Sequence, residues 1–531
     1  MGKKKTVAIP IAGQYGIVVD VSPQEMPLNA WSGGKNVRFR DGYVEKFFGH
    51  VAVFDPPVVP PYWALPVPTV QGLLWLYAGL QKVYAWDGAA HFNITRQTAS
   101  VDVDYSANAT LNWTGGLLGG VPVINNGVDA PQMWFPAETG VKLEELGNWP
   151  ALTTCRAFRS FKQYLLAMDV TKNTDRFPFM VKWSHAADPG DIPVSWDETD
   201  ETRDAGEYEI KESGGFVLDS IPLKDTNVIY KEDEIWAQQY IGGINIFKFF
   251  RLFGTIGALS RRCAIEIPGG YHLVFGSNDI IKHNGVEATS ILEGKYQRRI
   301  YSTIDPDNFA KCFVAVNKAA REVWFCYPET GNTLPNIALV WNMKTGALGL
   351  RDIPNVTHIA AGLVNLGVNS DLWSSNDGTW DDWAQAWGER EFNPSQEKLL
   401  LCNPVLTKLF RADTDTTFDL QPMESYIERV GLGFPLKTGE SPDFTSKKFV
   451  SRIWPRISGT IGGVVNVHLG TQEKVDGPVT YKPSKPFVIG QQEHVDIMAD
   501  SRLHALKFSS DTALEWKLHS YDVDVRKSGE M

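Results

Sequence analysis

A chain of 531 residues exceeds what one compact core usually holds, so two or three domains or one large repeat architecture are expected. With 43% hydrophobic residues it can bury a core, and its 47 Gly, 31 Pro, 18 Trp, 27 Phe and 17 Tyr favour strands joined by turns over helices. The net charge of −11 is uneven: residues 1–50 carry 7 Lys/Arg against 4 Asp/Glu, residues 451–531 carry 10 of each, and the body between holds −14, which argues against a surface that clamps nucleic-acid phosphates.

Five widely spaced cysteines (Cys155, Cys263, Cys312, Cys326, Cys402) contain no CxxC pair. A disulfide scaffold and a structural zinc site are therefore not expected; buried thiols are. The start, "MGKKKTVAIPIAG", is too short and too broken by Pro and Gly for a secretory signal, and no apolar run approaches a membrane span. "MGKKKT" fits the short myristoylation pattern at Gly2, with a basic tail as the competing reading.

In chain order, the first clear element is a hairpin. Val37 and Phe39 alternate with Arg38 and Arg40, and Asp41-Gly42 is the favoured pair for a type I′ turn. Residues 1–50 read as an N-terminal arm carrying this hairpin. From 51 to 430 the hydrophobic period stays near two, and one layout recurs: strand, turn, strand, then Asp-Gly or Asn-Gly. It is clearest at 73–88, 271–285 and 321–348, and weaker at 121–135, 160–185, 227–240 and 398–413. The spacing of about 40 to 60 residues is the scale of a propeller blade. The expected fold is all-β: a β-propeller of about six or seven blades with a further β-sandwich-like platform. An unrelated β-sandwich is the competing arrangement.

Residues 366–397 interrupt this pattern with Trp373, Trp380, Trp383 and Trp387 among acids. Trp380, Trp383 and Trp387 fall at i, i+3 and i+7, as on one helix face that could dock a neighbouring subunit or pack on its own domain. A linker is expected at 431–446. From 447 to 531 alternating strands recur, with Leu514, Trp516 and Leu518 opposite Glu515, Lys517 and His519, as in a half-exposed strand of the platform.

No enzyme motif emerges. There is no HExxH, no GxSxG elbow and no Walker loop, and the 10 histidines are scattered; His468, His504 and His519 read as surface or structural residues. Asp377, Asp381 and Asp382, and Asp413, Asp415 and Asp419, lack EF-hand spacing and read as solvated acidic loops. No cofactor or metal is expected.

The phrase Pro27, Ala30, Trp31, then Asn36, Val37, Arg38, Phe39, Asp41, Gly42, then Glu45, Lys46 and Gly49, resembles an early segment of tail proteins from short-tailed bacteriophages. "KWSHAADPGDIPVSWD" (182–197) and the closing "LEWKLHSYDVDVR" are similar to later segments of the same proteins. The resemblance implies a tail nozzle, or hub, of the packaged-DNA stabilisation type: a propeller joined to a β-rich platform, assembled as a homohexameric ring below the portal and its adaptor. It implies a virion location, contacts with tail fibre or tailspike proteins, no catalysis, no membrane, and double-stranded DNA passing through the ring without specific binding. Arg38 and Arg40 would either pair with acidic patches on a neighbouring ring or form the wet face of their hairpin. The competing function is a propeller that binds or degrades host-surface glycans.

Overall fold

The computed structural model describes residues 5–529 except 24, 70–71, 137–140, 244, 365–396, 436–441 and 475–476. Seven antiparallel sheets follow one another from Trp63 to Ala412, and from the second sheet round to the first, each leads with a strand that packs beside the first strand of the next. Those first strands are Trp63–Thr69, Thr114–Leu118, Thr153–Phe161, Val217–Leu223, Ala264–Ile267, Phe313–Asn317 and His358–Gly362. They line a common axis, and the last packs back against the first, which makes the assembly a seven-bladed β-propeller. The recurring hairpins of the sequence become the inner or middle strands of blades 1 to 7. Large apolar side chains fill the gaps between sheets, as where Trp63, Leu76, Trp113, Ile124 and Trp134 join blades 1 and 2.

The circle is closed by a strand from outside the repeat. Blade 7 contributes His358–Gly362, Lys398–Asn403 and Lys408–Ala412, and its fourth strand is His50–Val53, paired from Ala412↔His50 to Leu409↔Val53. This pairing covers an edge that would otherwise present unpaired backbone groups.

The platform is a two-sheet sandwich built from both ends of the chain. One sheet holds Lys5–Ile9, Trp516–Gly529, Lys447–Gly459 and Ala499–Ser501. The other holds Gly33–Lys35, Ser425–Leu432, Leu503–Ser510, Val464–Gln472, Thr480–Tyr481 and Lys485–Val488. Alternate residues of the long strands face inward, so Val450, Ile453, Val467, Phe508, Tyr521 and Val523 form one core. Trp31 enters it from the N-terminal segment: its indole N–H donates to the Ala12 carbonyl at 2.7 Å, and its ring lies 6.3 Å from Phe508 and 5.9 Å from Tyr521. The described residues of 5–46 are therefore part of the sandwich and its seam with the propeller. The strand Ser425–Leu432 runs into the stretch read as a linker.

The hairpin Val37–Arg40 and Tyr43–Lys46 stitches the two bodies together. Val37 pairs with Leu350 of blade 6, and Val44 and Glu45 pair with Leu518 and Lys517 of the platform. One ten-stranded sheet thus runs from blade 6 into the platform. Asp41 and Gly42, with φ of 48° and 88°, make the expected two-residue turn between Arg40 and Tyr43.

Candidate functional site

The hairpin's arginines face inward more than outward. Arg38 is 3% exposed. Its guanidinium reaches Asp413 at 2.8 Å, Glu322 at 3.5 Å and Glu45 at 3.8 Å, and lies 4.5 Å from the Phe47 ring centre. Arg351, fully buried, donates to Asp413 at 2.7 Å and to the Gly49 carbonyl at 2.9 Å, over the Trp324 ring. Asn317 donates to the second Asp413 oxygen. Burial alone would raise the Asp413 carboxyl, but Arg38 and Arg351 override it and hold the group well below the usual carboxylate range. Glu322, also buried, is pushed up by desolvation more than Arg38 pulls it down.

This corrects two readings. Arg38 is neither a wet face nor a contact offered to another ring, because blades 6 and 7 close over it. Asp413 is a buried ion-pair partner rather than a member of a solvated acidic loop. Arg40, at 35% side-chain exposure, is the arginine of the pair that remains accessible, beside a cavity of about 200 Å³ that Lys398, Asn317 and Asp413 also line. Trp380, Trp383 and Trp387 lie outside the described residues, as do Asp377, Asp381 and Asp382.

A second charged cluster sits where the inner strands begin. Asn112, before blade 2, donates to the Tyr62 and Thr357 carbonyls and so ties blades 1 and 7 to its own. Arg262, before blade 5, donates to the same Thr357 carbonyl at 3.0 Å, and its backbone carbonyl accepts from Val314 of blade 6. Its backbone N–H donates to Asp219 of blade 4, which Arg159 of blade 3 grips with two bonds of 2.7 Å. Arg159 also donates to the Gly115 carbonyl of blade 2. All seven blades are thus bonded together at one mouth of the axis. His358 stays neutral there, because burial first, then Arg262 and Arg159, push its pKa well below the ordinary value.

A third feature is a groove of about 970 Å³ on the rim between blades 3 and 4. Tyr208 stacks on Phe249 at 4.6 Å beside Trp183, and Glu198, Glu201, Asp204 and Glu207 line the same groove. Lys182 and Lys172 neutralise Glu198 and Glu207 in part. Among the described residues no group of three or more His, Cys, Asp or Glu side chains is arranged to hold a metal ion. All five cysteines are buried thiols.

The axial arginines were missed in the sequence. Their signal was the doublet Arg261-Arg262 in an acidic body, one residue before the blade 5 strand "AIEI".

No family model matches the chain, and no curated protein matches it. Several solved structures are similar to it, at low identity. The WD40 β-propeller domain of Doa1 is 8% identical, with 70% of this chain and 97% of that one aligned at a TM-score of 0.36. PorZ, a component of the type-IX secretion system of Porphyromonas gingivalis, is 9% identical over 89% of this chain and 56% of its own, at a TM-score of 0.34. The CNH domain of AfRom2 is 10% identical over 61% of this chain and 92% of its own, at 0.31. The class is that of an all-β protein in which a seven-bladed propeller is fused to a sandwich platform.

Proposed function

We propose that the chain is a structural virion protein: a ring-shaped tail nozzle that extends the DNA channel of the portal and its adaptor, retains packaged DNA and conducts it during ejection. The observation that carries this reading is where the resembling phrase falls. Its residues are the parts of the joint between propeller and platform, and such a joint is what a nozzle of that family requires. Asn36 sits at φ 55°; its side-chain amide donates to the Asp352 carboxylate and accepts from the Asp352 backbone N–H. Arg38 fills the ion cluster, Asp41-Gly42 makes the turn, and Glu45 links Arg38 to Lys517. Lys46 donates to the Thr512 carbonyl, and a Cβ at Gly49 would lie 1.7 Å from the Thr417 oxygen.

The charge distribution supports the same reading. A polyanion slides past an acidic wall without adhering, and the body carries −14. In the proposed ring the genome's path lies between copies of the chain. In a homohexameric ring, Arg40 and the segment bearing Trp380, Trp383 and Trp387 are the proposed contacts with neighbouring subunits, the adaptor, and tail fibre or tailspike proteins.

The test is the mass of the purified protein alone and after mixing with a portal–adaptor ring. Six copies captured per adaptor ring support the nozzle. A monomer that ignores the adaptor overturns it. The rim groove favours a second reading, host-glycan binding, because stacked aromatics beside carboxylates suit sugar rings and hydroxyls. Sugar release from host envelope material, abolished by Tyr208→Ala, would replace the nozzle with that reading.

A further inference from the structure

The seam between propeller and platform holds a cavity of about 200 Å³ where the Asp41-Gly42 hairpin, blade 6 and blade 7 meet. Strand alternation puts Arg38 and Arg40 on one face of the hairpin, with Glu45 paired opposite Arg38. Both arginines reach the same Glu45 oxygen through Nε, at 3.8 and 3.9 Å, and both line the cavity. Asn317 lines it from the end of a blade 6 strand, and Lys398 and Asp413 from the strand ends of blade 7. Phe48, Leu399 and Ala412 supply apolar wall.

The charges on this wall do not balance. Arg38, Arg40 and Lys398 face the single carboxylate of Asp413. That carboxylate is fully engaged, by Arg38 at 2.8 Å, Arg351 at 2.7 Å and Asn317 at 2.8 Å. Glu45 is divided among Arg38, Arg40 and Lys517, the last at 3.4 Å. Among the described residues, the Arg40 guanidinium makes no hydrogen bond, and Lys398 has neither a hydrogen bond nor a carboxylate within ion-pair distance. Arg38 is buried and its Nε has no hydrogen-bond partner. Burial holds Lys398 below the ordinary lysine value, with Asp413 the lesser, opposing influence. Cations kept from water without a dedicated counter-charge are costly, and an entering anion would relieve Arg40 and Lys398 together.

We propose that this cavity is a socket for a single carboxylate group, taken up between the Arg40 guanidinium and the Lys398 ammonium. The planar fork of Arg40 matches a carboxylate edge, and Lys398 adds a point charge beside it. The apolar wall lowers the local dielectric and strengthens both attractions. Size and charge narrow the ligand. The cavity is smaller than the ~300–1,000 Å³ of sites that enclose whole small molecules, so it takes a group of side-chain size. Asp413 and Glu45 behind the two cations disfavour a doubly charged phosphate. The carboxylate arrives on an acidic side chain of a partner protein or as a small free acid, and the test separates these sources. The socket gives the contact proposed for Arg40 a chemical partner, yet it does not rest on the nozzle reading, because it needs only the seam.

The full-length protein is titrated calorimetrically with sodium acetate and, in parallel, with a blocked tripeptide bearing a central glutamate. The same tripeptide with glutamine, inorganic phosphate, and chloride at matched ionic strength are the comparisons. The expected result is saturable binding of a carboxylate probe, roughly tenfold or more tighter than the glutamine tripeptide. Arg40→Gln and Lys398→Met are each expected to weaken it by roughly tenfold, as the loss of one charge-assisted contact should. Arg456→Gln, on the exposed face of the platform, is expected to leave it intact. If one cavity variant does not fold, the other decides. Binding of the glutamate tripeptide alone makes the socket a docking point for a protein side chain; binding of acetate alone makes it a site for a free acid; binding of both shows that the carboxylate suffices from either source. No saturable binding of either probe, equal binding of the glutamine tripeptide, a tighter response to phosphate, or a response unchanged in the cavity variants overturns the proposal.

Discussion

Arg38 sits among Glu45, Glu322, Asp413 and the Phe47 ring, so its removal leaves Glu322 buried without its cation and Asp413 with Arg351 alone. Arg38→Ala is expected to cost about 3–5 kcal/mol in a urea titration, well beyond a surface ion pair. Arg40→Glu is expected to leave the fold intact and is the variant that can report on attachment to another ring. A second residue-scale test concerns histidine. Tyr230 donates to Nδ1 of His272 at 2.6 Å and accepts from Nε2 of His283 at 3.1 Å, while His272 Nε2 donates to the Pro222 carbonyl and Gly285 N–H donates to His283 Nδ1. Each ring is satisfied only as the neutral tautomer. Burial pushes His272 down to about 4 and, with His272 as the lesser cause, His283 down to about 3. Both folded values lie below the unfolded value near 6.5, so the unfolded chain takes up protons first. This contribution to stability is intact above pH 6.5 and is lost as pH falls towards 4, by about 3 kcal/mol for His272 alone. Urea midpoints across pH 4 to 7 should fall on the acid side, and a flat profile would show that the network carries no linkage.

At the scale of elements, two contacts made by the N-terminal region hold long-range structure. The closing strand His50–Val53 is aimed by Gly49, whose missing Cβ lets the chain pass against the Thr417 backbone. Gly49→Ala should therefore destabilise blade 7 by more than the ~1 kcal/mol ordinary for glycine replacements, with hydrogen exchange rising first along 398–412. Trp31 is the N-terminal anchor of the platform core, and Trp31→Ala should cost about 3–5 kcal/mol with loss of order in the sandwich before the propeller. Neither contact was read from the sequence, where Trp31 and Gly49 stood only as members of the resembling phrase. The hairpin at Asp41-Gly42 was legible because a type I′ turn is chosen by two residues and its strands by alternation. That it joins blade 6 to a strand near residue 517 was not legible, because pairing across hundreds of residues leaves no local trace.

For the molecule as a whole, the continuous sheet and the buried ion cluster make propeller and platform one mechanical unit. Calorimetry is expected to show a single unfolding transition that Arg38→Ala splits into two; two transitions in the unaltered protein would show that the seam does not couple them. A stiff joint of this kind suits the ring subunit proposed above. The sequence by itself determined the all-β class, the blade-sized repeat, the buried thiols and the turn chemistry, since each depends on neighbours a few residues apart. The tertiary structure alone decided that both chain ends share one sandwich, that a strand before the repeat closes the propeller, and that Arg38 is enclosed. Those outcomes depend on which distant surfaces meet, and burial there reverses what charge alone predicts for a side chain.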